Sequence, residues 1–147
     1  MKRNPAYISL LLGLILSVSA GAQVRFLPIN DTTVYIYSSD RHFDYAGNGR
    51  EPSQTHPALA EGFGMARFET PDKATGEIQY EYCLCPWKRG FRHGEGLWMR
   101  ADGSVVKADW RWDKLHSVLE EPPSEAERAE FDRRLLRLQA IIRLMGR

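Results

Sequence analysis

The chain holds two cysteines among 147 residues, Cys83 and Cys85. A disulfide framework of the kind that staples small secreted domains is therefore excluded. No charge of one sign predominates: 20 Lys+Arg stand against 19 Asp+Glu. That balance gives no electrostatic case for nucleic acid as a partner. Four histidines are scattered as His42, His56, His93 and His116. No His-x-x-x-His pair, serine-nucleophile motif or zinc-ligand spacing accompanies them. Catalysis is not expected, and neither a cofactor nor a metal is. A Cys83, Cys85 and His93 set would lack a fourth ligand. Long apolar runs are also missing, apart from Tyr7 to Ala20. That run falls short of the ~20 residues needed to span a bilayer.

This N-terminal run has the form of a secretory leader. Lys2 and Arg3 precede it, and Ala20-Gly21-Ala22 supplies a small-x-small cleavage site. Residues 1–22 are expected to be a signal peptide, with export to the periplasm or beyond the cell. Retention of the segment as an anchor is the alternative. Cleavage after Ala22 leaves 125 residues, enough for one domain, with 18 basic against 19 acidic side chains. In an oxidising compartment Cys83 and Cys85 have three open readings. They are two buried small apolar residues, a strained redox-labile bridge, or half of a metal site or intermolecular bridge.

Residues 23–60 read as N-terminal strands and a loop. Residues 24–29 form one strand and Thr32–Tyr37 another, with Asn30-Asp31 as the turn. Phe43 and Tyr45 alternate around Asp44 before Gly47-Asn48-Gly49 breaks the pattern, and residues 46–60 read as a long surface loop. From Glu77 to Cys83 apolar and polar residues alternate, placing Ile78, Tyr80 and Tyr82 opposite the face that carries Cys83 and Cys85. Pro86 is expected to end that strand. Leu97-Trp98-Met99 and residues 105–112 form the arms of a hairpin with Asp102-Gly103 at its tip. Residues 113–123 read as a connection. A helix over about 124–146 follows, with a Ser124–Glu127 capping box, acidic residues first and basic residues last. Phe131, Leu135, Leu138, Ile142 and Met145 repeat at 4-3-4-3 spacing and form one apolar stripe.

The segment Gly90-Phe-Arg-His93-Gly94-Glu-Gly96, followed by a strand and Asp102-Gly103, resembles a MORN repeat. A degenerate earlier copy begins at Gly62-Phe63-Gly64 and includes Gly76. The resemblance covers about residues 62–116 and is closest to the variant hairpins of bacterial exported proteins. It departs from the pattern at Lys107-Ala108-Asp109-Trp110, where Tyr and Gly are absent. The resemblance implies an open twisted antiparallel sheet of hairpins over 61–116 and a protein-interaction or scaffold surface without catalytic residues. It also implies structural turn roles for Gly64, Gly76, His93, Gly94, Gly96, Asp102 and Gly103. Tyr80, Tyr82, Trp98, Trp110 and Trp112 are the candidate binding anchors. The fold expected is mainly β with a C-terminal helix. The function expected is an exported interaction module with an unidentified protein partner. The alternative is a peripheral envelope protein held by its helix or uncleaved leader, although the acidic first turn disfavours a helix lying on a membrane. Homodimerisation through the helix stays open. A redox- or metal-responsive role for Cys83 and Cys85 is the least favoured.

Overall fold

A computed structural model describes the backbone of residues 15–19 and 22–147, and side chains from Gln23 onward. The expected leader and its cleavage site thus lie largely outside the described residues. Within it, Ile15–Ser19 forms β1, antiparallel to β2 (Ala22–Pro28). The remaining strands are β3 (Val34–Ser38), β4 (Phe43–Arg50), β5 (Leu59–Pro71) and β6 (Ile78–Lys88). They continue with β7 (Phe91–Arg92), β8 (Gly94–Met99), β9 (Val105–Arg111) and β10 (Lys114–Val118). One helix, α1 (Glu125–Leu144), closes the chain. The strands form one open antiparallel sheet in the order β1-β2-β3-β4-β5-β6-β8-β9-β10, with the short β7 on β6.

Local chemistry sets the reversals. Asn30 Oδ1 accepts the N–H groups of Thr32 and Thr33 in the β2–β3 turn. Asp72 Oδ1 does the same for Ala74 and Thr75 between β5 and β6. Asp102 and Gly103 turn β8 into β9. These are the side-chain-to-backbone bonds that make Asn and Asp turn formers.

Both faces of the sheet are buried. One buries Leu27, Tyr35, Ala46, Met65, Leu84 and Leu97 beneath Phe131, Leu138, Ile141 and Ile142 of α1. Full burial of such side chains stabilises by about 1.5–3 kcal/mol each. The apolar stripe of α1 is thus used within the chain, leaving Leu136 and Leu144 exposed. The capping box is present in both directions between Ser124 and Glu127. The opposite face buries Phe43, Tyr45, Cys83, Cys85, Trp87 and Trp110 among others. Among the described residues no helix covers it; the sheet rolls over itself. Phe68 pairs in register with Glu81, yet its ring stacks 6.3 Å from Trp87, six residues further along β6. In a flat strand those rows lie about 20 Å apart.

Several sequence expectations are corrected here. Gly47-Asn48-Gly49 continues β4 instead of breaking it. Asn48 faces an irregularity in β5, where the register passes from Gly47↔Gly64 to Gly49↔Ala60. The Asn48 carboxamide holds it by accepting the Phe63 N–H and donating to the Thr32 carbonyl. Such bulges bend a strand and increase its twist, which accounts for the roll. Gly64 and Gly96 lie inside β5 and β8, not in turns. A Cβ on Gly96 would sit 2.3 Å from the Leu84 carbonyl oxygen, and one on Gly64 would meet the Tyr45 ring at 2.5 Å. Close approach, not chain reversal, requires glycine at both positions. Pro86 lies within β6. Its carbonyl accepts from His93, so its missing N–H faces the gap between the β6–β8 and β6–β7 pairings. Residues 114–118, expected to be a connection, form the edge strand β10.

Candidate interaction surface

Two hairpin turns meet at one end of the rolled sheet. Lys88 pairs with Phe91, so Arg89-Gly90 is a two-residue loop, with φ of 51° and 83°. Arg111 pairs with Lys114, so Trp112-Asp113 is another, with φ of 48° and 70°. Positive φ at both central residues marks the I′ turn, whose usual sequence is Asn-Gly or Asp-Gly. Arg-Gly departs halfway from that preference. Trp-Asp departs fully, and a bulky residue at positive φ is an outlier.

A lock beneath the turn holds this conformation. The Asp113 carboxylate accepts from Arg92 Nε at 2.7 Å and from Arg41 Nη2 at 3.3 Å. The Asp113 N–H donates to the Arg92 carbonyl at 2.8 Å, and the Trp112 N–H donates to His93 Nδ1 at 3.2 Å. Arg41 also donates to the Gly90 carbonyl, tying the two loops together. The Arg92 guanidinium is sandwiched 4.3 Å from the Phe68 ring and 3.8 Å from Trp110. It also donates to Cys83 Sγ at 3.3 Å. Burial draws the Arg92 pKa down, but Cys83 and Asp113 more than reverse this, so its charge is held firmly. For Arg41, burial lowers the pKa and Asp113 only partly restores it.

Above the lock stands an exposed aromatic pair. Trp112 is 49% exposed and Phe91 42%, with ring centroids 6.4 Å apart, edge to face. His93 tilts against Trp112 at 4.6 Å, and Lys88 Nζ lies 5.5 Å over the same ring. Exposed Lys88, Arg89, Arg111 and Lys114 flank the pair in the two hairpins, with Arg111 reaching Asp109 at 3.2 Å. The Asp113 carboxylate is already engaged by two guanidiniums, and the Glu61 carboxylate accepts the Arg89 N–H. The surface is a rigid, cation-ringed aromatic projection.

No protein-family model, curated protein or solved structure matches the chain. The reading therefore rests on the geometry.

The five aromatic anchor candidates do not share one surface. Trp112 stands in the projection. Trp110 is 5% exposed and lies under Arg92, and Trp98 is half-buried, edge to face with Trp110 at 5.7 Å. Tyr82 packs in the helix-side core. Tyr80 is exposed elsewhere, beneath the Arg67 guanidinium at 4.3 Å. Gly76 and Gly103 occupy positive-φ turn positions, and Gly94 enters β8 at φ 130°. Cys83 and Cys85 are free, buried thiols. Burial pushes Cys83 up to about 11 against the pull of Arg92, and raises Cys85 as well. Among the described residues no three His, Cys, Asp or Glu side chains are grouped to hold a metal ion, and no helix is long and apolar enough to cross a membrane.

Two further features have no counterpart in the sequence reading. Asp44 is fully buried on the helix side, where it accepts from Tyr35 Oη (2.6 Å), Arg67 Nη2 (2.9 Å) and Arg147 Nε (2.9 Å). This knot ties the end of α1 to the sheet. At the other end of α1 lies a cavity of about 350 Å³ with Phe63, Leu84, Leu97 and Ala126 among its walls. Glu95, Glu127 and Glu130 stand at its edge.

Proposed function

We propose that this chain is an exported, non-catalytic interaction module built on MORN-like hairpins, which docks a protein partner in the cell envelope or outside the cell through the Trp112 surface. The observation that carries this reading is Trp112 itself. Its left-handed backbone costs about 1–2 kcal/mol relative to glycine, and it is held there half-exposed by Asp113, Arg92 and Arg41. A turn whose only task is to reverse the chain is served better by Asn-Gly. A large aromatic on a rigid support has the character of an interface hot spot.

The repeat reading draws support from the two glycine pairs. Gly62 and Gly94 both have positive φ, and Gly64 and Gly96 both sit where a Cβ would collide with a neighbouring strand or ring. The leader reading draws on Lys2, Arg3 and the Ala20-Gly21-Ala22 site.

The test has two parts. N-terminal sequencing of the protein from fractionated cells should give a mature chain starting near Gln23 in the exported fraction. A photo-crosslinking amino acid at position 112 should yield a discrete adduct in the envelope or medium, and the same group at Glu77 should not. A chain that stays inside the cell, or equal crosslinking at both positions, refutes the proposal.

A further inference from the structure

We propose that the partner of the Trp112 surface is a second copy of this chain, with Trp112 entering the cavity beside the start of α1. This rests on reading the Trp112 surface as an interaction surface and names its occupant. The two surfaces are complementary in shape and charge. One is a convex aromatic pair ringed by Lys88, Arg89, Arg111 and Lys114. The other is a concave apolar site, Phe63, Leu84, Leu97 and Ala126, with Glu95, Glu127 and Glu130 at its edge.

The charge around the cavity extends well beyond that edge. Residues 120–130 carry five glutamates and a single base, Arg128. Lys107 already engages Glu121 and Glu127, and Arg133 and Arg134 engage Glu130. Among the described residues Glu95 forms no ion pair; it lies opposite Asp109 in the β8–β9 register, and Arg111 engages Asp109 at 3.2 Å. A basic group brought to that point supplies the counter-charge that Glu95 lacks. The cavity volume, about 350 Å³, is within the range of sites that enclose small organic groups. One indole is such a group. The contact joins different patches on the two copies, so it either closes as a reciprocal two-fold pair or propagates into rings or chains.

The test uses the processed protein purified from the exported fraction. Sedimentation velocity across a concentration series should show self-association that weakens as salt rises. Trp112→Ser removes the projection, and Ala126→Trp fills the cavity. Each alone should weaken association by about 30-fold or more, the loss expected of a hot spot. Glu95→Lys serves as a second cavity-side variant if Ala126→Trp does not fold by circular dichroism. Mixing the two variants should restore a one-to-one complex that grows no further, because each supplies the surface the other lacks. A protein that stays monomeric up to about 1 mM overturns the inference, as does association indifferent to the variants or a mixture that fails to pair. A specific heterologous crosslink at position 112 in a monomeric protein leaves the interaction-module reading standing while this inference falls.

Discussion

Replacing Trp112 with glycine and, separately, with alanine isolates the backbone cost at the projecting turn. Both variants lose the ring and its contacts with His93, Phe91 and Lys88. They differ in the backbone alone. Alanine keeps the penalty of a left-handed residue, about 1–2 kcal/mol. Glycine removes it but gives up about 0.5–1 kcal/mol of unfolded-chain entropy. The net should favour Trp112→Gly over Trp112→Ala by about 0.5–1 kcal/mol. The same pair at Glu81, inside β6, should reverse in sign, since glycine in a strand interior is the weaker choice by about 0.5–1 kcal/mol.

Urea unfolding followed by far-UV circular dichroism reads the difference directly. With a slope of about 1–3 kcal/mol per molar, Trp112→Gly should unfold roughly 0.2–1 M above Trp112→Ala. A glycine variant less stable than the alanine variant refutes the claim that the backbone at 112 is strained, and with it the main support for a functional projection. A glycine variant that is stable but, with the photo-crosslinking group moved to position 91, crosslinks to nothing is the expected signature of a residue kept for docking.

Three other outcomes follow from the packing. Asp44→Asn strips Arg67 of its carboxylate partner and leaves Arg147 with Glu69 alone, and thermal unfolding should register a loss of about 3 kcal/mol. Gly96→Ala forces a Cβ into the Leu84 carbonyl and Cys85 backbone and should cost about 3 kcal/mol; Gly103→Ala, with open space around it, should cost only about 1–2 kcal/mol. Both thiols should resist Ellman's reagent in the native protein and react fully in denaturant. Because burial raises the folded Cys83 thiol from 9.0 to about 11, its contribution to stability is fully present below pH 9 and is lost as pH rises through 11, where the folded thiol also ionises. Cys83→Ala should flatten that alkaline slope in pH-dependent urea midpoints.

Local signals proved readable where their energetics are local. The Ser124–Glu127 box and the stripe from Phe131 to Ile142 locate α1 because capping and helical periodicity act within a few turns. The alternation from Glu77 onward places Cys83 and Cys85 on the face opposite Tyr82 and Leu84, as found. Gly47-Asn48-Gly49 has a loop's composition but lies in a strand, because Asn48 reaches Thr32 and Phe63 across the sheet. β10 was hidden because Trp112-Asp113 has no glycine and puts a bulky Trp where a two-residue turn favours Asn, Asp or Gly. The turn is held by Arg92 and His93 and by Arg41, the last 72 positions away in sequence.

Trp110 and Trp112 are alike in sequence and two residues apart, yet one is core and the other surface. Strand alternation puts them on the same face, and only the left-handed step at 112 separates them. Arg92 links the two roles: one guanidinium covers the Trp110 ring and grips the Asp113 carboxylate. Any loosening of the core around Trp110 therefore also loosens the support beneath Trp112. The projection is only as rigid as the aromatic sandwich below it, and a planar, permanently charged group suits both contacts where a lysine ammonium could serve just one. This coupling makes the surface an extension of the folded core, which keeps the entropy cost of docking low.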